Sequence, residues 1–382
     1  MKVDYFTQFE PGDWNFETSK VSRNDADLVL YFTTHARCSA GQDFESLRER
    51  FPNAVVLGCS GGGAFDADLV SDETVAGVAV SFDSTTVRHV VTDIDDQIDA
   101  EQHGMEVGRQ LAAPDLAAVF ILGDGIHLNG SRFAAGLTAA LGAGVPVTGG
   151  LAGDEGAFKQ TLVAANAAPK PGIVVAVGFY GANFKAAAGF GGGWTPFGPR
   201  RRITRSKGNV LYELDGEPAL DLYKRYLGDE AEGLPASGLL FPLNIHHPDS
   251  PQHELTRTIL AVDHEAKTMT FAADVPEGWV GQLCRTTPTR LTEAAASGTR
   301  QAMNDHGSHH GDDLVVFVNC IGRRLVMGHR TAEEVMAATD ELPASTRRVG
   351  FFSHGEFAPN GDTGHCEFHN QMMIVTHFRE AA

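Results

Sequence analysis

Positive charge is scarce in this chain. Its 382 residues carry 49 Asp and Glu against 30 Lys and Arg, a net charge of −19. A field of that sign repels phosphate backbones, and no basic stripe offsets it, so nucleic acid is not an expected partner. An anionic membrane surface is disfavoured on the same ground. Long apolar runs are also missing. The longest, Gly172 to Ala182, falls far short of the ~20 residues of a membrane helix. The N-terminus, MKVDYFTQFE, lacks the basic-then-apolar order of a secretory signal. Cysteines are few and scattered: Cys38, Cys59, Cys284, Cys320 and Cys366, never spaced as CxxC. That argues against a disulfide framework, a zinc ribbon, an iron–sulfur cluster and a covalent c-type haem. A reducing cytoplasm is the expected compartment.

Glycine and histidine are abundant, 43 and 16 residues. Several glycines fall in clusters at the ends of apolar runs. At about 150 residues per domain the chain makes two domains. The abrupt shift to Gly, Pro and Arg across Gly191–Arg205 predicts the seam there, dividing 1–195 from 196–382. Its basic cluster, Arg200 to Arg205, is a solvated linker or a docking surface for an acidic partner.

Apolar runs predict strands at Asp27–Thr34, Ala54–Gly58, 117–124, 145–150, 172–180, 313–322 and 348–357. Helical patterns lie at Gln42–Phe51, Ala100–Ala112, Ser131–Leu141, Pro218–Tyr226, Thr289–Asn304 and Ala332–Ala338. TVAGVAVSF and TTVRHVVTDI, meeting near Asp83, predict a hairpin. Phe158–Ala164 predicts another strand. An apolar strand, a helix and a second strand ending in a glycine turn recur three times, through GCSGGG, GGLAGD and FSHGE. Such βαβ units predict an α/β fold of mixed β-sheets with flanking helices, in two related α/β halves. Their glycine turns belong at the strand ends, where open α/β sheets place ligands.

Candidate residues cluster in those turns. Gly58 to Gly62 spells G-x-S-x-G, but no helical pattern follows, as a nucleophile elbow requires. Cys59, Ser60 and Gly61 are ligand-lining candidates; a hydrolase using Cys59 or Ser60 is an outside option needing a base brought in by the fold. Gly149, Gly150 and Asp154 end the second strand pair. Asp124 and Asp154 either bind a cation or amine, or cap the turns that follow. The loops NIHHPDSPQH and NDHGSHHG read as ordinary polar loops. The C-terminal set differs. His354, His365, Cys366, Glu367 and His369 lie among Phe351, Phe352, Phe357, Phe368 and Met372, surroundings that suit either a core or a b-type haem. Glu356 and Asn370 are polar residues in apolar surroundings, so each needs a partner. One pocket between the halves is predicted, lined by Cys59–Gly63, Gly149–Asp154, His354–Glu356 and Cys366–Gln371. Strand alternation makes Glu367 the expected hydrogen-bond partner of His369, and Glu356 that of His354.

Several of these segments together resemble the FIST-domain family, bacterial sensory proteins with an N-terminal and a C-terminal FIST region. The carriers are LGCSGGGAF, GGLAGD with Phe158 and Thr161, AVGFYG, ALDLYKRYLG, NCIGRRLVMGHRTAEE, GFFSHGEFAP and CEFHNQ, over about residues 25–377. Two positions depart from the family pattern: Ala64 replaces an acidic residue and His354 a tyrosine. The resemblance implies a cytoplasmic signal-transduction sensor rather than an enzyme, and ligand binding without an appended output domain. One branch of stand-alone FIST proteins binds haem b, senses nitric oxide and acts on a partner sensor histidine kinase. For that branch His369 or His354 is the iron ligand. The alternative implied ligand is an amino acid or similar metabolite.

Overall fold

The computed structural model describes residues 1–66, 69–94, 98–304 and 312–381; His306, His309 and His310 of NDHGSHHG lie outside them. Strand Leu28–Thr33 is buried along its whole length, as an apolar run covered on both faces must be. It runs parallel to Val55–Ser60, joined by helices His35–Ala40 and Gln42–Arg50. The same unit recurs twice. Leu116–Gly123 is parallel to Val147–Leu151 across helix Gly130–Leu141. Leu314–Cys320 is parallel to Arg347–Ser353 across helices Ile321–Met327 and Thr331–Thr339. In each unit a later strand returns antiparallel beside the first: Val75–Ser81, Ile173–Tyr180 and Met373–Glu380.

Each unit also gives strands to its neighbours. Ala64–Asp66 of the first unit pairs with Arg347–Ser353 of the third. Val163–Ala165 of the second pairs with Val55–Ser60 of the first. Gly355–Pro359 of the third pairs with Val147–Leu151 of the second. A second exchange runs the opposite way round. Thr86–Asp93 lies beside Ile173–Tyr180, and Phe184–Gly191 beside Met373–Glu380. The N-terminal strand Lys2–Gln8 takes the corresponding place beside Val75–Ser81 and closes the ring. The result is three six-stranded sheets, two of which mix strands from before and after residue 195.

Period-2 alternation decides what each sheet covers. Leu30 and Phe32, Phe120 and Leu122, and Val316 and Val318 point inward to one core shared by all three sheets. Phe32 of the first unit stacks on Phe351 of the third at 4.6 Å. The alternate residues, Val29 and Tyr31, Val119 and Ile121, and Val315 and Phe317, face outer layers. The fold is α/β with mixed sheets and outer helices, as expected. The internal relation runs through three units.

Two expected elements differ. Val75–Ser81 and Thr86–Asp93 do not form a hairpin with each other; the chain changes sheet at 83–85. Glu380 accepts the backbone N–H groups of Asp83, Ser84 and Thr85, each at 2.7 Å. Phe158–Ala164 is mostly irregular, and only Val163–Ala165 is strand. The Gly/Pro/Arg stretch is no linker but the long strand Thr195–Lys207, whose register shift between Phe197 and Arg201 absorbs Gly198 and Pro199. This strand belongs to a fourth, eight-stranded sheet with its own core around Ile203, Leu220, Tyr223 and Phe271. Two of the arginines are paired nearby in the chain: Arg201 with Asp215, and Arg205 with Glu213.

Candidate functional site

The three glycine turns meet at one end of the shared core. Ser60 Oγ donates to the Gly153 carbonyl at 2.7 Å and accepts from the Leu162 N–H at 3.0 Å. Gly62 N–H donates to the Phe352 carbonyl, and His354 N–H to that of Leu151. The loops Cys59–Gly63, Gly149–Asp154 and His354–Glu356 are therefore in contact, and Glu356 sits opposite His369 in the sheet. They are packed against one another rather than spread around a single ligand pocket.

Within this junction most candidates have structural tasks. Cys59 is fully buried in the shared core, and burial pushes its thiol up. Ser60 contacts backbone through both bonds named above. Gly61 donates its N–H to the Thr33 carbonyl at 2.8 Å. Gly149 has φ +136°, and a Cβ there would stand 2.1 Å from the Ile121 carbonyl oxygen, a position for glycine only. A Cβ on Gly150 would stand 2.4 Å from Val318. Asp154 accepts the N–H groups of Phe158, Lys159 and Gln160; Asp124 accepts those of Ile126, His127 and Gly172. Both carboxylates are thus turn caps. Burial opposes the charge on Asp154, but hydrogen bonds from His354, Lys159 N–H and Phe158 N–H outweigh it and hold the carboxyl near 2.

The expected partners of the histidines are replaced. Glu356 does not meet the His354 ring. It lies 2.6 Å from Ser353 Oγ and accepts the Met372 N–H, and desolvation raises its carboxyl to about 8. His354 sits in the turn between two strands, where period-2 alternation no longer applies. Its Nε2 lies 3.2 Å from Asp154, and its ring stacks on Phe158 at 4.5 Å. Glu367 likewise turns away from His369 and meets His253 Nε2 at 2.8 Å. Asn370 donates to the His369 carbonyl.

That His253–Glu367 pair lies in a groove of about 720 Å³ between the eight-stranded sheet, helix Gly130–Leu141 and segment 360–368. At its wall is Arg257, only 4% exposed. Arg257 Nε donates to the Asp274 carbonyl at 2.8 Å, and Nη1 to those of Thr256 and Phe368 at 3.2 and 3.3 Å. Among the described residues no carboxylate lies within ion-pairing distance of it. Desolvation lowers its guanidinium to about 10. Ser131 and Arg132, in the first turn of helix Gly130–Leu141, line the same groove. A buried guanidinium beside a helix N-terminus favours an anionic group. Glu367, Asp274, Glu101 and Asp362 supply negative charge around it, and Trp279, Leu255, Pro276 and Phe368 supply apolar surface. Sequence reasoning singled out Glu367 as ligand-lining, but in a pocket with the glycine turns; it read His253 as an ordinary loop histidine and did not single out Arg257.

His369 and His354 are the two candidate haem ligands. Burial above all, with Arg257 and His253 adding to it, pulls His369 down to about 3, and its buried Nε2 has no hydrogen-bond partner. Both features suit an iron ligand. Space does not. The His369 ring lies stacked on Phe190 at 6.1 Å and lines neither the groove nor the cavity beside His354. That cavity measures about 280 Å³, below the roughly 300–1,000 Å³ of small-molecule sites. The surrounding aromatics also belong to different layers: Phe351 to the shared core, Phe352 to one outer layer, Phe357 and Phe368 to another. As packed here, these residues do not fit haem. Among the described residues no cluster of three or more His, Cys, Asp or Glu is placed to hold a metal.

The remaining shared motifs converge on a buried network. Arg323 and Glu334, both fully buried, form an ion pair, and Asn319 Nδ2 donates to the same carboxylate at 3.0 Å. Arg323 also donates to the Gln371 carbonyl, which accepts the Trp194 Nε1–H as well. NCIGRR, TAEE and CEFHNQ thus hold one another. Residues 27–217 match the FIST N domain and residues 219–359 the FIST C domain. The chain belongs to the FIST family. FIST domains are sensory domains of signal transduction that bind small ligands. This FIST protein is similar to an uncharacterised protein of the archaeon Methanocaldococcus jannaschii, at 26% identity over 87% of this chain and 70% of the relative. Among the described residues no helix is long and apolar enough to cross a membrane.

Proposed function

We propose that this FIST protein is a cytoplasmic sensor for an amino acid or a similar zwitterionic metabolite, bound in the groove beside Arg257. The observation that carries this is the buried guanidinium of Arg257, which donates to backbone carbonyls and, among the described residues, has no carboxylate within ion-pairing distance. A buried charge needs a partner, and here a ligand carboxylate supplies it. The ligand ammonium then lies toward Glu367 or Asp274, and its side chain toward Trp279 and Phe368. The chain acts as a binding module and passes its signal to a partner protein, a sensor histidine kinase by family resemblance. Among the described residues no base is bonded to Cys59 or Ser60, so neither supports a hydrolase. A thermal-shift screen of the standard L-amino acids tests the proposal, since a ligand that binds only the folded state raises Tm. At least one should raise Tm by several degrees; a flat panel counts against the groove.

A second function rests on His369 Nε2: haem b sensing nitric oxide. It requires the Phe190–His369 stack to open. A Soret band after reconstitution, lost in His369→Ala, would favour it; a colourless protein would remove it.

A further inference from the structure

The charges that line the Arg257 groove do not balance. Four carboxylates, Glu101, Asp274, Asp362 and Glu367, stand against two guanidiniums, Arg132 and Arg257. With histidines counted as neutral, negative charge is in excess. Two of the carboxylates have charged or imidazole partners. Glu101 shares Arg132 with Asp99, and Glu367 meets His253. Asp274 accepts the Asn129 Nδ2–H at 2.9 Å, but among the described residues neither Asp274 nor Asp362 has an ion pair.

These two unpaired carboxylates stand differently toward Arg257. Asp274 lends its backbone carbonyl to Arg257 Nε. Its carboxylate, with that of Glu367, acts on the guanidinium without pairing to it. Asp362 is not among the charges that act on Arg257; it sits exposed on segment 360–368. A zwitterion held by its carboxylate at Arg257 brings its α-ammonium toward Asp274 and Glu367. It adds no net charge, so the negative excess and the unpaired Asp362 remain. A second cation, carried on the ligand side chain, complements both. The groove has room for it. At about 30 Å³ per water-sized group, 720 Å³ admits on the order of twenty non-hydrogen atoms. Phe368 and the half-buried Trp279 offer apolar surface to side-chain methylenes, and the indole attracts a cation. We propose that the groove selects amino acids whose side chain carries a second positive charge, the class of lysine, ornithine and arginine. This rests on the reading of the groove given above and adds to it the charge of the side chain.

L-Arginine and L-citrulline have nearly the same shape and differ in side-chain charge, so they are the probes, titrated calorimetrically into the full chain. At low salt arginine should bind at least ten-fold more tightly than citrulline, and ~0.5 M salt should shrink that ratio by screening. Asp362→Asn should cut the low-salt ratio at least three-fold. Equal affinities, no binding of either probe, or a ratio that Asp362→Asn leaves unchanged overturns the proposal. Should that variant not fold, the salt series on the wild type decides, and a ratio that does not move with salt overturns it. The groove reading fails separately: it falls when no amino acid binds, or when Arg257→Gln leaves the affinity of a bound one unchanged. Citrulline and arginine binding equally, both weakened by Arg257→Gln, would remove the side-chain selectivity and leave the groove.

Discussion

The Met1 ammonium lies 3.2 Å from the Glu380 carboxylate, where the ring of three units closes. Burial works against the charge on Glu380, yet bonds from the Asp83, Ser84 and Thr85 backbone and the Ser84 and Thr85 hydroxyls hold its carboxyl near 2. One carboxylate thus fixes the chain's passage from the first sheet to the second and anchors the last strand beside the first residue.

Replacing Glu380 by Ala leaves those N–H groups without their acceptor. A loss on the order of 3 kcal/mol follows, read as a lower urea midpoint with unchanged slope. The depressed carboxyl also sets a sign with pH. Its contribution is complete above the ordinary Glu range near 4.5 and is lost as pH falls toward 2. Glu380→Ala should therefore show a shallower acid-induced loss of stability than the wild type.

The parallel pairs were legible because strands covered on both faces are apolar throughout, as in Leu28–Thr33 and Leu314–Cys320. The partition of strands among sheets was not. Val75–Ser81 and Thr86–Asp93 look like hairpin arms, and the residue that separates them lies 295 positions from Thr85. Long-range exchange leaves no local mark. Gly61, Gly149 and Gly150 stood out as unusual, but the same bareness serves close packing or a ligand, and here it serves packing. The groove was least legible. His253 and Glu367 are 114 positions apart, and only the eight-stranded sheet carries one to the other.

Glu356 behaves in the opposite sense to Glu380. With its carboxyl raised to about 8 by desolvation, the folded state keeps a proton that the unfolded chain releases near 4.5. Stability therefore falls as pH rises from about 4.5 to 8 and levels off above. Glu356→Gln keeps an oxygen to accept the Met372 N–H and places its neutral amide nitrogen beside Ser353 Oγ. It should flatten that slope and raise stability at pH 8 by a few kcal/mol, on the order of 1.4 kcal/mol for each pKa unit removed, measured by denaturation at a series of pH values. A wild-type slope retained in the variant would contradict the assignment.

The Arg323–Glu334 pair predicts a folding defect rather than a binding one. Breaking a buried pair leaves one charge uncompensated at a cost of about 3–5 kcal/mol. Arg323→Met and Glu334→Gln should each lower the unfolding midpoint strongly. Any folded fraction should keep wild-type ligand affinity. Near-native stability in both would mean that NCIGRR and TAEE have another task.

Ligand binding at Arg257 is the central claim, and calorimetric titration tests it most directly. The amino acid giving the largest thermal shift is titrated into the wild type and into Arg257→Gln, with circular dichroism checking that the variant is folded. Removing one member of a buried charged pair costs at least about 2 kcal/mol, so Kd should rise about 30-fold or more. An unchanged Kd in a folded variant would contradict the account.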